Sequence, residues 1–259
     1  LRIGGLKGFV DGSLGSGTAL FFDPYADDPG SAGLLHRQML PEGAMERRVL
    51  AADRAGWQLA IHAIGDRANA MLLDIYEKAA RENGPRDRRW RVEHAQHLRP
   101  FDIPRFGALG VIASVQPFHA VDDGRWAETK IGRERCRTTY AFRSLAAGGA
   151  VLAMGSDWTV APLDPVAGIA AAVNRRTTDG RNPGGWFPEQ RLALEEALAG
   201  FTRNGAYAEF AEALKGTIAP GRLADLVVLD RDIFEGPPED IAGARVTMTI
   251  TDGRIVYSR

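Results

Sequence analysis

The sequence predicts an α/β protein built on a parallel sheet, followed by a small β segment at the C-terminal end. Three observations predict it. Short apolar runs rich in β-formers alternate with helix-length amphipathic stretches. The runs are apolar almost throughout, as strands covered on both faces are. Beyond about residue 215 the alternation gives way to short strands around an Asp-Gly turn.

The strand-like runs, in order, are "IGGLKGFV" (3–10), "WQLAIH" (57–62), "RWRVEH" (89–94), "VIASVQ" (111–116) and "AVLAMGSD" (150–157). Between the first two, "PEGAMERRVLAADRAG" opens on Pro41, suited to a first helical turn, and stops at Gly56, suited to a cap. "DRANAMLLDIYEKAARENG" spaces Ala68, Met71, Leu72, Ile75 and Ala79 as one helix face and ends at Gly84-Pro85. Further helices are expected in "TTYAFRSLAAGG", "LDPVAGIAAAVNRR" and "RLALEEALAGFTRNGAYAEFAE". In the tail, "LADLVVLD" reads as a strand, and "VTMTITDGRIVYSR" reads as a hairpin with Val246, Met248 and Ile250 on one face. Residues 1–215 are therefore expected to form the β/α portion and 216–259 a β appendage.

Bulk composition excludes several function classes. A chain of 259 residues can bury a large core. Its 32 basic and 33 acidic residues give a net charge of -1, which makes no electrostatic case for nucleic acid or an anionic membrane surface. The arginines of "PRDRRWR", interrupted by Asp87, read as a solvated helix–strand loop. The single Cys136 excludes an intrachain disulfide and fits a reducing, cytoplasmic setting. No apolar run approaches the roughly 20 residues of a membrane span.

The polar residues fall in a pattern. His62 closes the second run, His94 the third, His119 follows the fourth and Asp157 ends the fifth, while the first carries Lys7 and then Asp11. In a parallel β/α barrel these positions share the C-terminal face, where active sites of that architecture lie. Singly, each has a bland reading as a structural histidine or a capping carboxylate; their convergence points to a metal site. Imidazoles with a carboxylate suit a borderline divalent ion such as zinc. Such an ion activates water and polarises a carbonyl, and the carboxylate can move the proton. His36 lies in a loop, and His97 reads as structural or supporting. Glu93 is expected to point away from the site, toward the helices. "DGSLGSG" lacks the spacing and lysine of a P-loop and reads as a tight active-site loop. Trp126 and Trp186 either line a substrate pocket or cover the barrel mouth.

Six stretches, "KGFVDGSLGSGTA", "LAIHAIGDRA", "RVEHAQHLRP", "IASVQPFH", "GSDWTVAPLDP" and "GTIAPGRLADLVVLDRD", together resemble the amidohydrolase superfamily, in particular its YtcJ-like branch with the N-substituted formamide deformylases. The resemblance implies a metal-dependent hydrolase of amide-type C–N bonds on a (β/α)8 barrel of TIM type with a β-sandwich beside it. It makes the five strands here strands four to eight. It implies His62, His94 and Asp157 as metal ligands, and Lys7 as a fourth that carries a bridging carbamate in many superfamily members. Asp157 would also handle the proton, and His119 would contact substrate or its oxyanion; Asp11 and Trp126 are further substrate-side candidates. Without a metal, Lys7 would instead pair with a carboxylate such as Asp157. The superfamily's HxH pair is absent from the sequence, so the resemblance implies the C-terminal portion of a longer enzyme binding one or two ions when intact. A partial barrel leaves open edges, which predicts homo-oligomerisation or association with an N-terminal segment. The rival reading is a non-catalytic β/α scaffold or binding module with a vestigial metal site.

Overall fold

The computed structural model describes residues 3–259. In chain order the elements are β1 (Leu6–Phe9), α1 (Ala44–Arg54), β2 (Leu59–Ala63), α2 (Asp66–Asn83), β3 (Arg91–His94), α3 (Ile103–Ala108), β4 (Ile112–Val115), α4 (Pro117–Asp123), α5 (Ala127–Ile131), α6 (Arg133–Cys136), α7 (Phe142–Ala147), β5 (Leu152–Met154), α8 (Pro165–Asn174), α9 (Leu194–Phe201), α10 (Arg203–Ala208), β6 (Leu226–Leu229), β7 (Val246–Thr251) and β8 (Arg254–Ser258). They form two compact units, Leu1–Val115 with Asp123–Leu152, and Gln116–Asp122 with Ala153–Arg259. No helix among the described residues is long and apolar enough to cross a membrane.

All five predicted strands form, each shorter than its apolar run, in one sheet of order β1-β2-β3-β4-β5. Its first three pairings are parallel and in simple register. In the first unit, α1 starts three residues beyond Pro41 and ends before Gly56, whose φ of 81° suits glycine. Helix α2 covers Asp66–Asn83 as predicted and stops at Gly84 (φ 78°). It buries Ala68, Leu72 and Ala79 of the predicted face, together with Leu73 and Tyr76. The "PRDRRWR" segment joins α2 to β3 as a loop, with Pro85, Arg86 and Asp87 exposed as expected and Arg88 and Arg89 half-buried. Arg88 and the exposed Arg86 both pair with Asp53 of α1, a carboxylate with no exposed surface, and Asn83 adds a 2.8 Å hydrogen bond. A buried charge needs such pairing, so these arginines serve the core.

In the second unit, α8 begins as its sequence predicts, with Asp164 accepting the Val166 N–H at 2.9 Å and Pro165 in the first turn. The long helix expected after it divides in two at Thr202, whose φ and ψ of -126° and -95° are not helical. Trp186 is 2 % exposed, and its carbonyl accepts Arg175 Nε at 2.8 Å; it is a core residue. The tail forms an antiparallel sheet of order β6-β7-β8. Its hairpin turns at Asp252-Gly253, both left-handed at φ 49° and 74°, as the sequence predicts. Val227, Ile255 and Val256 are exposed, and the described residues form no second β-sheet beside this one.

Candidate metal centre

Strand parity decides which side chains can meet. The register aligns Lys7, Ala60 and Arg91 in one row, and Phe9, His62, Glu93 and Ser114 in the next. Partners in a parallel register point to the same face, so these rows share one face of the sheet. Gly8, Ile61, Val92 and Ala113 take the other face, and a Cβ on Gly8 would stand 3.4 Å from Met45 of α1. Glu93 therefore does not point toward the helices; Val92 does. Glu93 accepts Arg91 Nε at 2.8 Å and Ser114 Oγ at 2.6 Å on the same face as His62. The error came from reading His94 as the residue that sets the parity of β3.

Lys7 is exposed, on that same face, with its ammonium 5.0 Å from the Phe9 ring centroid. His62 stands one pleat further along. Its Nε2 lies 2.8 Å from the Gly12 carbonyl, which can only accept, so Nε2 carries a proton. Asp11 Oδ1 lies 3.5 Å from the same Nε2. Asp11 is 1 % exposed and accepts the N–H groups of Leu20, Ile64 and Gly65 at 2.8, 3.0 and 2.8 Å. Burial pushes its carboxyl up to about 7 against those amides. Its oxygens are thus committed to tying the loop after β1 to the turn after β2.

His94 is the last residue of β3, buried, with its ring centroid 4.6 Å from that of His62. The first unit thus brings Asp11, His62 and His94 together. In the second unit, His119 lies on α4, and Asp157 is an exposed residue at φ 55° in the turn beyond β5. Burial holds the His119 imidazole below its usual range, with the Asp157 and Asp122 charges opposing. A neutral imidazole and a carboxylate are the donors a divalent ion takes. Trp126 is half-buried in the first unit, with its indole edge 3.5 Å from where a Cβ on Gly15 would stand. His36 accepts the Gln38 N–H at Nδ1 (3.3 Å) and caps a short 3-10 turn.

Sequence reasoning missed two supports. Asn69 Nδ2 reaches the carbonyls of Ala63, Ile64, Gly65 and His97 at 2.9–3.2 Å, stitching the loops after β2 and β3. Gln96, Tyr140 and Asp123 form a second buried knot, with Tyr140 donating to Asp123 Oδ2 at 2.6 Å. Asn69 had a faint signal as a polar residue among the small apolar ones of α2; Tyr140 and Asp123 had none.

The amidohydrolase family profile matches residues 1–257. The chain belongs to the amidohydrolase family. It is 43% identical to protein LONG AFTER FAR-RED 3 of Arabidopsis thaliana over 99% of this chain and 43% of that protein. It is 33% identical to YtcJ of Bacillus subtilis (strain 168), named as an amidohydrolase, over 100% of this chain and 48% of that one. An N-substituted formamide deformylase of Arthrobacter pascens is 29% identical over 80% of this chain and 38% of its own length. Among solved structures, an uncharacterized metal-dependent hydrolase from Pyrococcus horikoshii OT3 superposes with a TM-score of 0.78 at 32% identity, covering 98% of this chain and 47% of that one. The family member described here thus spans about half the length, or less, of these relatives.

Proposed function

We propose that the whole protein is a metal-dependent hydrolase of amide-type C–N bonds, of the N-acyl or N-formyl amine class. The observation that carries this reading is the placement of His94, His119 and Asp157, which close or follow β3, β4 and β5 in turn. Two imidazoles and a carboxylate suit zinc. His62 Nδ1 is a further donor on the same face, and Lys7, carried as a carbamate, is proposed as an auxiliary ligand. When bound, the ion supplies Lewis acidity to a substrate carbonyl and to water. Asp157 takes a proton from the attacking water and returns it to the amine nitrogen as the C–N bond breaks, leaving a carboxylic acid and a free amine. His119, held neutral by burial, serves as a ligand nitrogen in this reading. Asp11 holds the loops that carry His62, and Trp126 is proposed to meet the substrate. The family membership and the named deformylase relative support the substrate class.

The barrel and the C-terminal β-sandwich belong to the same proposal, as does a cytoplasmic setting, which the lone buried Cys136 supports. Exposed Ile3 and Leu6 at the β1 edge support self-association or pairing with a further segment, which sedimentation velocity checks. The central experiment is elemental analysis of metal content with hydrolysis of N-formyl and N-acyl amines measured in parallel. Bound zinc and chelator-sensitive turnover are expected. Absence of both after zinc and bicarbonate are supplied would overturn the reading in favour of a non-catalytic binding module.

A further inference from the structure

Parity in β3 sets a problem for His94. Its register partner is Ala63, which lies on the helix-packed face, opposite to His62 and Glu93. A regular strand would therefore aim the His94 imidazole away from His62. The rings nevertheless meet, with centroids 4.6 Å apart. The backbone supplies the reversal: His94 has φ 78° and Ala95 φ 44°, two consecutive left-handed residues at the strand end. The torsion φ sets where Cβ points relative to the preceding peptide, so a positive value swings the side chain out of the strand's alternation. Neither residue is glycine, and each left-handed non-glycine residue costs on the order of 1 kcal/mol or more unless its surroundings hold it.

The surroundings that hold it begin at the next residue. Gln96 is 4 % exposed, and its carbonyl accepts the Tyr140 N–H at 2.6 Å. Its side-chain amide donates to the Tyr140 hydroxyl and, at 3.3 Å, to Asp123 Oδ2. The Tyr140 hydroxyl donates in turn to Asp123 Oδ2 at 2.6 Å. His97 continues the clamp, its N–H on the Ile64 carbonyl at 3.0 Å and Nδ1 2.9 Å from Thr139 Oγ1. The segment following the two left-handed residues is thus fixed on one side to residues 139–140 and on the other to the turn after β2.

We infer that Tyr140 is a positioning residue: through Gln96 and Asp123 it holds the left-handed His94–Ala95 turn that rotates the His94 imidazole to the His62 side. This rests on the reading of His94 as a metal ligand, and its test separates the two. Tyr140→Phe removes one hydroxyl at nearly constant volume. Ala95→Gly removes the cost of one left-handed residue, since glycine adopts that conformation freely. The metal-free protein is read by NMR for the proton–proton contact between the His62 and His94 rings, and by thermal unfolding; zinc titration gives the affinity.

The ring contact is expected in the unaltered protein, lost in Tyr140→Phe and regained in Tyr140→Phe/Ala95→Gly. Zinc affinity is expected to follow, falling about 10–100-fold in Tyr140→Phe and recovering in the double variant. A ring contact and affinity unchanged by Tyr140→Phe would overturn the inference, as would a loss that Ala95→Gly does not rescue. Failure of the unaltered protein to bind zinc would overturn the ligand reading alone, because the ring contact is read without metal. Should Tyr140→Phe not fold, Gln96→Met cuts the same knot from its other end and is judged by the same two outcomes.

Discussion

The Nε2 of His62 lies 2.8 Å from the carbonyl oxygen of Gly12. In the neutral imidazole that contact selects the Nε2–H tautomer. Nitrogen-15 NMR of the metal-free protein at neutral pH is expected to find the His62 proton on Nε2. Adding zinc should move the Nδ1 resonance and leave Nε2 protonated. A proton on Nδ1 would remove His62 from the ligand set.

Gly65 answers for the turn between β2 and α2. A Cβ there would sit 2.0 Å from the Leu20 carbonyl oxygen, and the Gly65 N–H is one of the three amides on Asp11. Gly65→Ala must push the Leu20 backbone away and with it the Leu20 N–H on Asp11. A loss of about 1–3 kcal/mol in urea unfolding is expected, the usual cost of overpacking.

Asp53 pairs with Arg86 and Arg88 and is fully buried. Asp53→Ala leaves both guanidinium groups without their carboxylate, and Arg88 is itself only 9 % exposed. Denaturant unfolding should register a loss of about 3–5 kcal/mol, as for a buried pair broken from one side. Zinc affinity should not change, since this cluster lies between α1 and the segment after α2.

Acid sensitivity should trace to His97. It is 2 % exposed, and burial, aided by the Arg135 charge, pushes it down to about 3. Thr139 Oγ1 donates to the Arg135 carbonyl, so it accepts from His97 Nδ1–H and leaves Nε2 as a buried lone pair with no donor facing it. The folded pKa is depressed, so the unfolded chain binds the extra proton below about 6.5 and folding loses stability as pH falls from there toward about 3. Between pH 6.5 and 5 the loss should be about 2 kcal/mol. Urea midpoints measured for the metal-free protein and for His97→Gln at both pH values check this; the variant should show the shallower slope.

Periodicity and polarity along the chain made the five strands legible, because each run is short, rich in apolar β-formers and set between helix-length stretches. They also exposed the line of His62, His94, His119 and Asp157 at the strand ends. What stayed hidden depended on torsions and distant partners. Glu93 was misplaced because a left-handed φ at His94 inverts the parity inferred from it. The pairing of Arg86 and Arg88 with Asp53 stayed hidden because Asp53, more than thirty residues earlier, gives no local sign of burial. The break at Thr202 interrupts an otherwise continuous helical pattern. Tyr140 carries no spacing that links it to Gln96.

The division of β3 into a helix-packed Val92 and a site-facing Arg91 and Glu93 bears on how this strand tolerates changes in length. Inserting or deleting one residue within Arg91–His94 exchanges the two faces, setting a carboxylate against the helices and an isopropyl group beside His62. Changes of two residues leave the faces as they are. Viable length variants of this segment should therefore differ in steps of two.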